Sequence, residues 1–553
     1  MDSVSLKRHC GQGEKRPARR HSWLKILSIV TGFASLVWFL LRVIPKPSRA
    51  TYPCQRAAAP LASGFIIWLS GLIGAKALYR KSRVLIRQKW YAVVALILAL
   101  VVYALWLPLG VMDEADAQQQ KLNAQADPFK PSEPANAPIG VGKGINPGRV
   151  VWAYDPDATS WDGTTGNWWD DANTDQRIVD DMVSKSLTGL TGEKTDKKAW
   201  DALFRYFNQA GKSGGAGYRR GEKVAIKINA NQDRSPEWGK GERPLNGLPS
   251  PHLVYALVNQ LITVAGVPGE DITIYEAADG RNIGKPVFDK IRAGSNADFK
   301  AVRFVANKHY DLQGRLMPSP DKDNPIHFAD AAVPTAYLPS AVTEAKYLIN
   351  VALFRSHTLC GVTLCAKNHF GSVYFPDHGG WTPRPMHEFV LRNRPMGSYN
   401  ALVDLIGHRH LGGKTLLYMI DGLYSAEHNE GNVMRLASFG DDWASSLFLS
   451  QDPVAIDSVG LDFLRNEPKA DNVRGFPDNY MHEAALADKP PSGVKYDPEG
   501  DGTPLKSLGV HEHWNNPTDK QYSRNLKKGE GIELVTLSKA ARNLAQTKGT
   551  DSK

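Results

Sequence analysis

The 553-residue chain is 42% hydrophobic and 22% charged, an ordinary globular balance with room for a membrane part plus one large domain or two smaller ones. Its net charge of +10 is concentrated at one end. Of the 67 Lys and Arg, 17 fall within residues 1–90, against 2 of the 57 Asp and Glu; the rest of the chain is slightly acidic, which excludes nucleic acid as a partner.

Residues 1–22 form a basic tail with Lys7, Arg8, Lys15, Arg16, Arg19 and Arg20. Three apolar runs without internal charge follow, Ile26 to Leu41, Ala57 to Ala75 and Trp90 to Met112. The last two match the roughly 20 residues that cross a bilayer, and the shorter first is flanked by Lys25 and Arg42, which can snorkel. Residues 23–112 are therefore expected to be a membrane anchor of three transmembrane helices, with the lipid bilayer as partner. The second connection holds Arg80, Lys81, Arg83, Arg87 and Lys89, and the first only Lys46, Arg49 and Arg56. By the positive-inside rule the N-terminus is cytoplasmic, and everything after Met112 lies on the periplasmic or extracellular side of the cytoplasmic membrane. A cleaved signal peptide ending near Ser48-Arg49-Ala50 is the alternative for the first run and leaves that side unchanged.

Residues 113–147, rich in Gln, Ala, Pro and Asn, read as a flexible linker. An α/β domain is expected over 148–470, and 471–553, rich in Gly, Pro and Asn, as an irregular extension packed on it. Strands are predicted at Val150–Ala153, Lys223–Asn229, Asp271–Glu276, Val302–Val305, Tyr347–Ala352, Thr415–Ile420 and Ser446–Ser450. Helices are predicted at Ala199–Asn208, Pro251–Ala265, Thr358–Phe370, His387–Leu405 (broken near Pro395) and Pro453–Arg465. This alternation gives an α/β fold with a mainly parallel sheet flanked by helices.

Ligands of such sheets sit at the carboxyl ends of the strands, and polar residues recur there. Alternation in the first of the domain's inner strands sets Lys227, Asn229 and Asn231 on one face, either as the wet side of an edge strand or as an anion-gripping triplet. Glu276 closes the next strand, whereas Asp279-Gly280 is a turn signal. Asn350 and Arg355 precede the run Ser356 to Gly371, in which His357, Lys367, Asn368 and His369 interrupt an apolar segment. Read as a helix, that segment places Gly361 at its middle, where it signals a close approach, and separates Cys360 and Cys365 by roughly 8 Å, beyond disulfide reach. Asp421 ends a hydrophobic strand. Asp452 before Pro453 is an N-cap, but Asp457 lies on an apolar stripe and needs a Lys, an Arg or a cation as partner. His408-Arg409-His410 and His511-Glu512-His513 read as surface histidines.

Val224 to Asn229, His357 to Gly371 with Lys367-Asn368-x-Phe370-Gly371, Ile420-Asp421-Gly422 and Asp452 to Asp457 occur in order, and together they resemble the domain of unknown function 362 family over about 221–466. The resemblance implies no reaction. Some members of that family carry ferredoxin-like cysteine clusters, which imply redox association; this chain lacks those cysteines, so no iron–sulfur cluster is expected.

The expected site comprises Lys227, Lys367 and Asp457 as catalytic groups, with Asn229, Asn231, Glu276, Asn350, Arg355 and Asn368 binding a small anionic substrate. In a metal version, His357, His369, Asp421 and Asp457 hold a divalent cation. The alternative is a non-catalytic, membrane-tethered binding or assembly subunit in which the same polar groups fix the fold.

Overall fold

A computed structural model describes Thr31, Ala34, Ser35, Val37 and Trp38 and then residues 126–538, apart from 212–213, 235–246 and 308–312. The chain divides into two units, 1–114 and 115–553. In the first, the five described residues are helical, and the second and third apolar runs lie outside the described residues. Among the described residues no helix is long and apolar enough to cross a membrane.

The second unit is built on a ten-stranded sheet with two small satellite sheets. Its strands in chain order are β1 (Ile139–Gly140), β2 (Arg149–Tyr154), β3 (Val224–Ile228), β4 (Ile272–Glu276), β5 (Arg303–Ala306), β6 (Arg315–Leu316) and β7 (Pro320–Ile326). There follow β8 (Ala336–Pro339), β9 (Tyr347–His357), β10 (Gly361–Thr363), β11 (Thr415–Ala426), β12 (Ser446–Ser450), β13 (Val510–His511) and β14 (Glu533–Ser538). The large sheet runs β14-β2-β12-β11-β9-β3-β4-β5-β6, with β10 folded back on β9. Only β12 and β10 pair antiparallel with their neighbours. All seven predicted strands are present, and the α/β, mainly parallel architecture is as expected.

Both faces of the sheet are covered, so β3, β4, β9 and β12 are buried at every position. Val224, Ile226 and Ile228 of β3 enter one core with the helices Gln176–Thr191, Asp196–Ala210 and Pro251–Asn259. Ala225, with Leu348 and Ala352 of β9, faces a second core with the helices Ala401–Gly407, Pro453–Arg465 and Asn479–Ala485. β3 is thus central, and Lys227 is not on a wet edge. The chain winds outward from β3 through β4, β5 and β6, then returns to lay β9 on the other side of β3. The strand order reverses between β3 and β9, and a crevice opens at the carboxyl ends of strands at such a point.

Four expectations are corrected. Thr358–Phe370 is not one helix: β9 extends to His357, turns, and returns as β10, with His357 opposite Gly361 and Arg355 opposite Thr363. The β-branched and aromatic content from Tyr347 onward favours the longer strand. Gly361 has φ +84, and a Cβ there would stand 2.5 Å from Cβ of Pro477. The close approach is real, but its cause is a tight hairpin. His387–Leu405 is a 3₁₀ turn, Arg384–Val390, and a separate helix, Ala401–Gly407. Residues 126–147 are not a tether in their described part: Phe129 is buried and β1 pairs with β13. The C-terminal extension is likewise less irregular than expected, since it supplies the helix Asn479–Ala485 and β14, an edge strand parallel to β2.

Candidate functional site

The crevice at the β3–β9 reversal is a cavity of about 470 Å³, within the range of small-ligand sites. Asn229 and Asn231 reach it from the end of β3, Glu276 from the end of β4, and Arg355 and His357 from the end of β9. Lys367, Asn368 and Phe370 arrive from the short helix Cys365–Asn368 and the turn after it. Arg234, Arg281, Trp381, Arg384 and His387 add to the wall, as do the carboxylates Asp279 and Glu430, and none of them has a periodicity that would have flagged it in the sequence.

Beneath the floor lies a closed polar network. Lys227 Nζ donates to Ile228 O at 2.7 Å, Glu276 Oε2 at 3.0 Å and Asn368 Oδ1 at 3.3 Å, which uses all three of its protons. Glu276 also accepts from the backbone N–H groups of Ala230 and Ala278. Asn368 Nδ2 donates to Asn350 Oδ1 and Val351 O, while Asn350 Nδ2 donates to Cys365 O and His369 Nε2. A Cβ on Gly371 would meet Glu276 Oε1 at 2.1 Å, so glycine there lets the backbone close over the ion pair. Lys227, Asn350 and His369 are fully buried and do not line the cavity.

The cavity wall is different: Arg234 pairs with Glu430 at 3.6 Å, but Arg355, Arg281 and Lys367 have no ion pair among the described residues. Arg355, buried on β9, donates to Gly247 O at 2.9 Å and Asn229 Oδ1 at 3.2 Å. Arg281 donates to Asn231 Oδ1 at 2.9 Å. Neither has a carboxylate within ion-pair distance among the described residues, and Nε of each is buried without a hydrogen bond. Desolvation lowers Arg355 to about 9 and Arg281 to about 10. Lys367 is lowered to about 8 by the same cause; its Nζ sits 3.1 Å from the Phe370 ring centroid, a cation–π contact. His357 is neutral, pushed well down by burial and next by the Lys367 charge. Its Nδ1 accepts from Leu359 N and Cys360 N, so Nε2 carries the proton and is a donor.

Asp457 and Asp421 stand outside the cavity. Asp457 accepts from Cys365 N at 2.8 Å, Ala366 N at 2.9 Å and the Tyr480 hydroxyl at 2.8 Å. Its partner is the N-terminus of the helix that carries Lys367 and Asn368, not the cation expected from its apolar stripe. Burial raises it to about 6 against those donors, so it is ionised at pH 7. Asp457→Asn would set an amide N–H₂ against one of these N–H donors and should cost ~2–3 kcal/mol of unfolding free energy in urea; a loss below about 0.5 kcal/mol would refute the capping role. Asp421 lies inside β11 and accepts from Ser250 N and Leu423 N, fixing the entry to the helix Pro251–Asn259. Asp452 caps Pro453–Arg465 through Val454 N and Ala455 N.

The expected metal set of His357, His369, Asp421 and Asp457 does not converge. Among the described residues the one group whose ligand atoms do is Glu133, Asp478, His511 and His513. His408, His511 and His513 are corrected from surface to interior, and His410 is half-buried. The missed signal was the i, i+2 spacing, which on extended backbone puts His511 and His513 on one side. Cys360 and Cys365 are buried free thiols, one in the hairpin turn and one opening the short helix; no cysteine cluster exists among the described residues.

Fold and crevice together define a doubly covered α/β protein with a cationic cavity at the reversal point of its sheet. Residues 224–462 match the family model described as Domain of unknown function (DUF362), and the chain carries that domain over this span. Every described residue lining the cavity falls inside it, and the Glu133 group falls outside. No curated protein and no solved structure matches the chain.

Proposed function

We propose that the chain is a membrane-anchored protein whose α/β domain, on the periplasmic or extracellular side, binds a small organic anion in the β3–β9 cavity and acts on it through Lys367. The observation that carries this reading is Arg355: a buried guanidinium facing a cavity with no carboxylate partner among the described residues costs free energy unless a ligand supplies the charge. Arg281, Lys367 and Arg384 add to the same field, and Trp381 and Phe370 offer apolar faces to the rest of the molecule. Lys367, held near 8, is suited to give a proton to the bound anion or take one from it, and the His357 Nε2–H donor stands on the same wall. The basic tail and basic second connection support the membrane orientation.

The closed Lys227–Glu276–Asn368–Asn350 network favours one other reading, a binding subunit without catalysis, in which the network only fixes the floor. Both readings require an anion. Calorimetric titration of the full-length chain in mild detergent with inorganic phosphate and with succinate should show saturable binding, weakened ~10–100-fold by Arg355→Met. Equal affinity in the variant, or no binding of either anion to the wild type, would overturn the anion site. Protease added outside intact spheroplasts should cut the domain if the orientation is right; full protection would reverse it.

A further inference from the structure

Outside the DUF362 domain, three separate stretches of chain bring carboxylates and imidazoles to one point. Glu133 comes from the segment before β1, Asp478 and His482 from the start of the helix Asn479–Ala485, and His511 and His513 from β13 and just beyond it. His482 Nε2 and His511 Nε2 each lie 3.1 Å from Glu133 Oε1, and His513 Nε2 lies 3.3 Å from the same oxygen. Asp478 Oδ2 approaches His482 Nε2 at 3.7 Å and His513 Nε2 at 3.9 Å. One ligand atom each from Glu133, Asp478, His511 and His513 fits within 4.8 Å of the others.

Outer hydrogen bonds hold the rings in place. Ser458 Oγ lies 2.7 Å from both Val454 O and His511 Nδ1, which fixes the orientation of the His511 ring. Without a metal, His511 Nε2–H donates to Glu133 Oε1 at 3.1 Å, and a cation that displaces this proton takes up the same lone pair. His513 Nδ1 lies 2.6 Å from Asp462 Oδ1, which can only accept, so Nδ1 carries a proton. Asp462 is itself held by Arg465, Trp514 N and the Tyr522 hydroxyl. His513 Nε2 and Asp478 Oδ1 are buried and make no hydrogen bond. Two buried polar atoms are thus left unpaired where the ring nitrogens and carboxylates converge, and outer carboxylate and hydroxyl groups orient the rings as they do around metal-bound histidines.

We propose that Glu133, Asp478, His511 and His513, with His482 at the rim, bind one divalent transition-metal ion of the zinc class. The donor set is imidazole and carboxylate without thiolate, which suits Zn²⁺, Mn²⁺ or Fe²⁺. Its position assigns it a stapling role. It ties the segment leaving residues 126–147 to the C-terminal extension, and through Asp478 it anchors Pro477, against which the Gly361 turn of the cavity hairpin packs.

Full-length protein carrying a histidine-free tag and purified without chelator should hold close to one equivalent of metal per chain by elemental analysis. After removal with a chelator, Co²⁺ titration should give visible d–d absorption saturating at one equivalent, and Zn²⁺ should raise the melting temperature and displace the Co²⁺ signal. His513→Gln and Asp478→Asn should each abolish the absorption and the Zn²⁺-dependent shift. Glu133→Gln tests the same set from the far end of the chain, where misfolding of the extension is not at issue. A folded wild-type chain without metal, which neither Co²⁺ nor Zn²⁺ alters, would overturn the proposal and leave a cluster held by protons. So would variants that keep the Co²⁺ spectrum.

Discussion

Lys227→Met should lower the unfolding free energy by ~3–5 kcal/mol, the range found when one member of a buried ion pair is removed. Lys227 is fully buried and Glu276 nearly so, with Nζ and Oε2 3.0 Å apart. Methionine fills the methylene stem but leaves a buried carboxylate without its cation, and Ile228 O and Asn368 Oδ1 each lose a donor. Lys227→Met/Glu276→Gln should recover much of the loss, because no net charge then remains. Recovery will be incomplete, since Ala230 N and Ala278 N donate to the two carboxylate oxygens and a glutamine amide can accept at only one. Urea unfolding of the single and double variants measures both terms. A Lys227→Met variant that unfolds like wild type, yet loses phosphate binding, would return Lys227 to the ligand-contacting role expected from its strand position.

The inner strands were legible because burial on both faces selects long β-branched runs, and those runs survive in the sequence as Val224 to Ile228 and Ile272 to Glu276. The rule that ligands sit at carboxyl ends then named Asn229, Asn231, Glu276, Arg355, His357, Lys367 and Asn368, all of which line one cavity. What pattern alone could not separate is a cavity-lining group from a group one layer below it. Lys227 and Asn229 share a strand face two residues apart, yet only Asn229 reaches the crevice. The hairpin at Gly361 was misread because Thr358 to Phe370 has the apolar density of a helix, and a short strand return carries no distinct period. Asp457 drew a cation on paper because its stripe is apolar; backbone N–H donors from Cys365 and Ala366 belong to another element and leave no trace near position 457. The same distance in sequence hid the Glu133 group, whose members span 133 to 513.

Lys367→Met should make the protein more stable and weaken its ligand binding, the opposite pairing from Lys227. Burial lowers the Lys367 pKa from 10.5 to about 8, so the charged form is disfavoured in the folded chain. The penalty is fully present below pH 8, and it is relieved as pH rises from about 8 toward 10.5, the window in which the unfolded chain holds the proton more tightly. A shift of this size corresponds to ~3 kcal/mol. Loss of the contact with the Phe370 ring offsets ~1–2 kcal/mol, so the net gain at pH 7 should be ~1–2 kcal/mol. The rise in wild-type stability between pH 8 and 10.5 should flatten in the variant. Phosphate binding should fall ~10–100-fold on substitution, and in the wild type it should decline as pH passes about 8 and the ammonium loses its proton. A stabilised variant that still binds phosphate with wild-type affinity would remove Lys367 from the anion site. A destabilised one would show that the ammonium holds the fold, and would favour the binding-subunit reading over proton transfer at this position.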